Sequence, residues 1–192
     1  MGAGQPTAGN GATAEHRLTF TSLAGKTIVV HSVSYFVCGL LALVILDYES
    51  NFADPEVRIF MRQTDEPIVM AGPLFQPIRG LLFAVAFYPL RAALFGRKRG
   101  WLVMWTVLVT VGILSTFGPS PGSVEGMIYT IFPIPLQLFG MLEVLAQSLL
   151  LAVVLCYWVN HPEKRWMNWL LAMSFLVVLM LPAMGLLRGP SQ

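Results

Sequence analysis

The chain has 192 residues, of which 56% are hydrophobic and 11% charged, and its mean hydropathy is +0.68. A soluble domain carries about 25% charged residues, so these charges are too few to cover a soluble globule of this length. The formal net charge of +2, with no basic stripe interleaved with aromatics, excludes nucleic acid as an expected partner and leaves the lipid bilayer.

Residues 1–26 read as a tail and a basic flank. Met1 to Ala14 are uncharged Gly, Ala, Thr, Asn, Gln and Pro, a composition expected to be disordered. Gly2 does not begin a myristoylation motif, because Pro6 stands where Ser or Thr is needed. Arg17 and Lys26 then lead into the first apolar block, residues 27–46. It is not a cleavable signal, since Asp47, Tyr48 and Glu49 follow it instead of a small-residue cleavage site. Within it, His31 precedes Ser34, Tyr35 and Cys38. A haem between helices needs a second axial ligand. The other histidines, His16 and His161, lie in the tail and a loop, so His31 is expected to be a helix contact and no cofactor is expected. Cys38 and Cys156 sit in apolar blocks without metal-ligand spacing and read as small buried hydrophobes.

The loop 47–73 holds Asp47, Glu49, Asp54, Glu56, Asp65 and Glu66 against Arg58 and Arg62. Pro55 to Arg62 could place Val57, Ile59, Phe60 and Met61 on a membrane surface as a short interfacial helix. Four more apolar blocks follow, 74–95, 101–118, 136–159 and 166–187, and then a tail, 188–192. Val124 to Phe132 is a shorter apolar stretch, cut from the fourth block by Pro133 and Pro135. Each block has about 18–24 residues, and a helix needs about 20 to cross the hydrocarbon. Only helices satisfy the backbone along such runs in lipid. The expected fold class is therefore all-α, a polytopic bundle of five transmembrane helices.

Charge gives the orientation. Arg17, Lys26, Arg97, Lys98, Arg99, Lys164 and Arg165 fall in alternate gaps, and the acidic loop fills one of the others. Basic gaps face the cytoplasm, which puts the N-terminus inside and the C-terminus outside a plasma or inner membrane. All five tryptophans, Trp101, Trp105, Trp158, Trp166 and Trp169, lie close to the basic gaps, as indole at a headgroup belt should. Tyr48, Tyr129 and Phe52 mark a thinner outer belt.

Three charges fall inside the blocks. Arg91 lies near the Arg97 cluster and can snorkel to it. Arg79 enters the second block from the outer side to a depth of roughly 8 Å, and Glu143 enters the fourth to roughly 10 Å. Their matched depth predicts an intramembrane ion pair; the alternative is that Arg79 snorkels to the outer headgroups. Gln76, Gln137 and Gln147 surround Arg79 and Glu143, and Gly140, Glu143 and Gln147 share one helix face. Both blocks are entered through proline-broken segments, Pro73 to Pro77 and Pro133 to Pro135, which point to a transporter site; the same polar groups could also simply join helices.

No hydrolase, metalloprotease, P-loop or EF-hand motif is present. Enzymatic chemistry is not expected, because Glu143 has only Arg79 and glutamines as possible partners in acid–base work. The expected function is a non-enzymatic accessory or assembly subunit of a membrane complex, its partners being other membrane subunits or a second copy. The alternative is a small permease with an outward-side polar site built on Arg79 and Glu143.

Overall fold

A computed structural model describes residues 18–188, and every regular element among them is a helix. The tail expectations for residues 1–17 and 189–192 lie outside the described residues. The long helix α1 (Phe20–Ile45) is capped by Thr19, whose Oγ1 accepts from the Ser22 amide at 3.3 Å. It starts seven residues ahead of the apolar block, because the cap and not the hydropathy sets its first turn. It stops at Asp47, which takes a left-handed conformation at φ 47°, one that Asp tolerates better than most residues.

The acidic loop folds as α2 (Tyr48–Ala53), α3 (Pro55–Arg58) and α4 (Pro67–Met70). In α3, Val57 is buried while Ile59 and Phe60 beyond it are exposed. The apolar stretch is thus shared between the protein and its surface, where a uniform interfacial face had been expected. A 3-10 turn (Gly72–Phe75) leads into α5 (Gln76–Phe87). The second block is not one continuous helix. It breaks after Phe87 at Pro89, which has no N–H to continue the ladder, and resumes as α6 (Arg91–Leu94).

The third block forms α7 (Gly100–Val109) and a π-helical turn (Thr110–Leu114) that closes when the Ser115 amide reaches back to the Thr110 carbonyl at 2.7 Å. It ends short of the expected residue 118, ahead of Gly118-Pro119. A short α8 (Val124–Tyr129) follows, its cap Ser123 accepting from the Gly126 amide. Then come α9 (Ile134–Asn160), begun by Pro133 with Pro135 in its first turn, and α10 (Arg165–Arg188), which contains Pro182.

Three helices, α1, α9 and α10, are long and apolar enough to cross a membrane, and Gly72–Phe87 and Gly100–Leu114 are shorter apolar helical stretches. Leu40, Leu41, Val44 and Ile45 on α1, with Leu170, Met173, Leu176 and Met180 on α10, are exposed. Apolar surface on this scale would be a liability in water and suits a lipid surround. The chain is a membrane protein.

Helix α1 is the hub, contacting α5, α9 and α10, while α7 packs on the far side of α9. The basic gaps share one end. Lys26 Nζ donates to the Trp158 carbonyl at 3.3 Å, and Asn160 Oδ1 accepts from the Gly96 amide at 2.8 Å. The core sits towards this end, with Leu23, Val30, Phe87, Leu94, Met104, Leu155 and Met167 in one cluster. The buried residues of α1 follow suit, running from Leu23 to Ser34 and then only to Ala42. Towards the acidic end the helices pack less closely, and a cavity opens there.

Candidate functional site

The cavity has a volume of about 590 Å³ and is lined by α1, the acidic loop, the start of α9 and the end of α10. Its wall is mostly apolar, including Leu40, Leu43, Met61, Met70, Phe132 and Leu181, with Tyr35, Tyr48 and Glu143 as its main polar groups. Glycines leave the room. Gly39 faces Glu143, where an added Cβ would stand 3.9 Å from Oε1, and Gly140 meets Gly122 backbone to backbone. Pro73 and Pro182 also border it.

Glu143 is partly buried on α9. The Tyr48 hydroxyl, delivered by α2 from the acidic loop, donates to its Oε2 at 2.6 Å. Tyr48 stacks on Phe52 with ring centroids 5.0 Å apart, which fixes the phenol over the cavity. Burial, together with the bond to Glu143, raises the Tyr48 pKa above its usual range. Oε1 of Glu143 accepts no hydrogen bond among the described residues.

The expected polar cluster is divided into separate parts. Arg79 is exposed on α5, and the only ion pair among the described residues is Arg62–Glu66 at 2.9 Å in the acidic loop. Arg79 and Glu143 are therefore not paired in this structure. Gln76 and His31 form a second part, with Gln76 Oε1 and His31 Nε2 3.1 Å apart and Gln76 Nε2 donating to the Gly72 carbonyl at 3.0 Å. His31 also meets Phe83 edge-on, centroids 4.9 Å apart. It lies in the contact between α1 and α5, away from the cavity wall.

Gln137 is a third part. It is fully buried and ties the corner around α8 to the start of α9. Gln147 makes no side-chain hydrogen bond among the described residues and does not line the cavity. Arg91 lies over the Tyr88 ring at 4.6 Å and donates to the Tyr88 carbonyl.

Tyr48 and Tyr35 are the site residues that reading the sequence passed over. Tyr48 follows the first apolar block, where a tyrosine reads as a membrane-border residue, and its loop's path brings it to Glu143. Tyr35 stands eight residues before Leu43 and four before Gly39, all three on the cavity wall. That helical spacing was a usable signal.

The Gln76 contact makes a prediction for stability. Nδ1 of His31 is buried without a partner, so Gln76→Leu would leave both ring nitrogens unpaired. Each buried polar group stripped of its partner costs about 1–3 kcal/mol. Gln76→Leu should melt measurably earlier in detergent, while Gln76→Glu, which keeps an acceptor for the ring, should lose less. An unchanged melting curve for Gln76→Leu would show that this bond contributes nothing. No protein family, curated protein or solved structure matches this chain.

Proposed function

We propose that this protein binds a small amphipathic molecule in the cavity at its acidic end, as the binding step of a small permease. Glu143 carries the reading. It is an ionisable side chain on a long apolar helix, set in the wall of a cavity of about 590 Å³ with one carboxylate oxygen held by Tyr48. Ionisable residues within membrane helices generally mark substrate or ion pathways, and small-molecule sites are mostly apolar cavities of about 300–1,000 Å³ with a few placed polar groups.

The reading takes the chain as five-spanning. The shorter stretches Gly72–Phe87 and Gly100–Leu114 cross with the help of their flanks, since about 15 residues rise only about 22 Å. Lys26, the Arg97 cluster and Arg165 face the cytoplasm, and the cavity faces outward across a plasma or inner membrane. Its function is transport and not chemistry.

Uptake of fluorescent amphipathic dyes into liposomes tests this. Glu143→Gln should purify with normal yield and lose uptake. If Glu143→Gln instead loses folded protein, and the natural chain takes up no dye, Glu143 serves to hold helices together.

One observation favours an assembly subunit as a second reading. Arg79 is exposed beside Ile78 and Leu82 on α5, where a second copy or another membrane subunit could supply a carboxylate. Arg79→Ala should then release a partner that co-purifies in mild detergent. Co-purification unaffected by the change would count against it.

A further inference from the structure

We infer that the cavity selects an organic monocation, a molecule with one positive group on an apolar body. This rests on the reading of the cavity as a small-molecule site. Among the described residues, Glu143 is the only charged one on its wall, and no Lys, Arg or His lines it. Tyr48 occupies Oε2, which leaves Oε1 as an acceptor beside Gly39. An anion would meet that carboxylate with no compensating donor of positive charge. A dication would leave its second charge among Leu, Met and Phe side chains, where an unpaired charge is costly.

The surroundings favour the same choice. Tyr35, Phe36, Tyr48, Phe52 and Phe132 contribute rings to the wall, and aromatic faces attract cations, more strongly when the site is dry. Tyr48, Phe52, Met61 and Thr64 belong to the acidic loop, so that loop forms the rim. It carries six acids against two arginines, and one of those, Arg62, is engaged with Glu66. A cleft edged by one sign of charge concentrates the opposite sign. Arg79 is exposed on α5 and is not among the residues that line the wall.

The full chain in phosphatidylcholine nanodiscs would be titrated with tetraphenylphosphonium, with tetraphenylborate of the same shape and opposite charge, and with the neutral dye Nile red. Tetraphenylphosphonium should bind saturably, and tetraphenylborate should not. Glu143→Gln should weaken tetraphenylphosphonium tenfold or more and leave Nile red within twofold. Glu143→Asp should retain part of the cation affinity. Leu43→Trp, which fills the cavity from an exposed position, should abolish binding of both.

Saturable binding of tetraphenylborate at equal affinity overturns the inference, as does a Glu143→Gln that binds the cation unchanged. If Nile red binds and Leu43→Trp removes it while charge has no effect, the cavity is a ligand site without cation selectivity. If none of the three binds saturably, the cavity reading falls as well. Should Glu143→Gln fail to fold, the two ions on the natural chain still decide, because their comparison needs no variant.

Discussion

Gly80→Leu should leave little folded protein. A Cβ at residue 80 would stand 2.6 Å from the Ile28 Cα, 3.2 Å from its amide nitrogen and 3.3 Å from the Thr27 carbonyl oxygen. All three are backbone atoms of α1, so no side chain can swing away, and the helices would have to separate. Lipid tails are as apolar as leucine, so helices in a membrane are held by close packing and not by exclusion from water. Overpacking a core generally costs about 1–3 kcal/mol and sometimes more; a leucine pressed against a helix backbone belongs at or beyond the upper end. The loss would spread, because α1 is the hub and the His31–Gln76 bond joins the same two helices. The monodisperse fraction on size exclusion after detergent extraction reports it. Gly25→Ala is the control. It is exposed on α1 with nothing within 4 Å of an added Cβ, and alanine in an unstrained helix gains about 0.5–1 kcal/mol over glycine. A Gly80→Leu protein that elutes like the natural chain would mean that α5 does not need its close approach to α1.

Gly80 also explains why the expected ion pair is absent. Gln76, Gly80, Ala84 and Phe87 are the buried residues of α5, and their spacing is one helix face. Arg79 precedes Gly80 by one residue, so it is turned about 100° away from that face. The expected pair rested on position along the chain, which carries no information about rotation around the helix axis. That rotation was readable in the small residues Gly80 and Ala84, four apart, and not in the charges. Gln76, four residues before Gly80, shares the buried face and meets His31 for that reason.

Helix existence followed from apolar length at α1, α9 and α10. Where a block contained Pro89 or ran into Gly118-Pro119, hydropathy alone overstated the helix. The start of α9 was marked directly by Pro133 and Pro135. Beyond Tyr35, Gly39 and Leu43 on one face of α1, the cavity had no local signature, because its wall joins Tyr35, Tyr48, Glu143 and Pro182 from four separate segments. The path of the acidic loop is what brings Tyr48 to Glu143.

Gln137→Leu should unfasten the corner that forms one wall of the cavity. The Gln137 side chain is fully buried. Its Oε1 accepts from the Gly122 amide at 3.0 Å, and its Nε2 donates to Thr130 Oγ1 at 3.0 Å and to the Phe132 carbonyl at 3.5 Å. Gly122 is in a left-handed turn at φ 78°, and Gly126 has no space for a Cβ, which would lie 2.0 Å from the Ser120 carbonyl oxygen. The corner is thus a tight turn held within itself by the Ser123 and Thr130 hydroxyls and tied to the start of α9 by Gln137. Leucine removes every one of those bonds and strands the Gly122 amide. At about 1–3 kcal/mol for each stranded group, amide hydrogen exchange across residues 120–132 should quicken by roughly ten- to a hundredfold. Pro121, Gly122 and Phe132 line the cavity, so ligand binding should weaken together with stability. Glu143→Gln should instead weaken binding and leave exchange in the corner unchanged. Gln147→Leu removes a glutamine without hydrogen bonds among the described residues and should change stability by no more than about 0.5 kcal/mol. If Gln137→Leu and Gln147→Leu behave alike, the corner holds without Gln137. If they differ as expected, two polar residues on one membrane helix, six positions apart, have separate duties: Gln137 builds the wall, and Glu143 supplies the charge inside it.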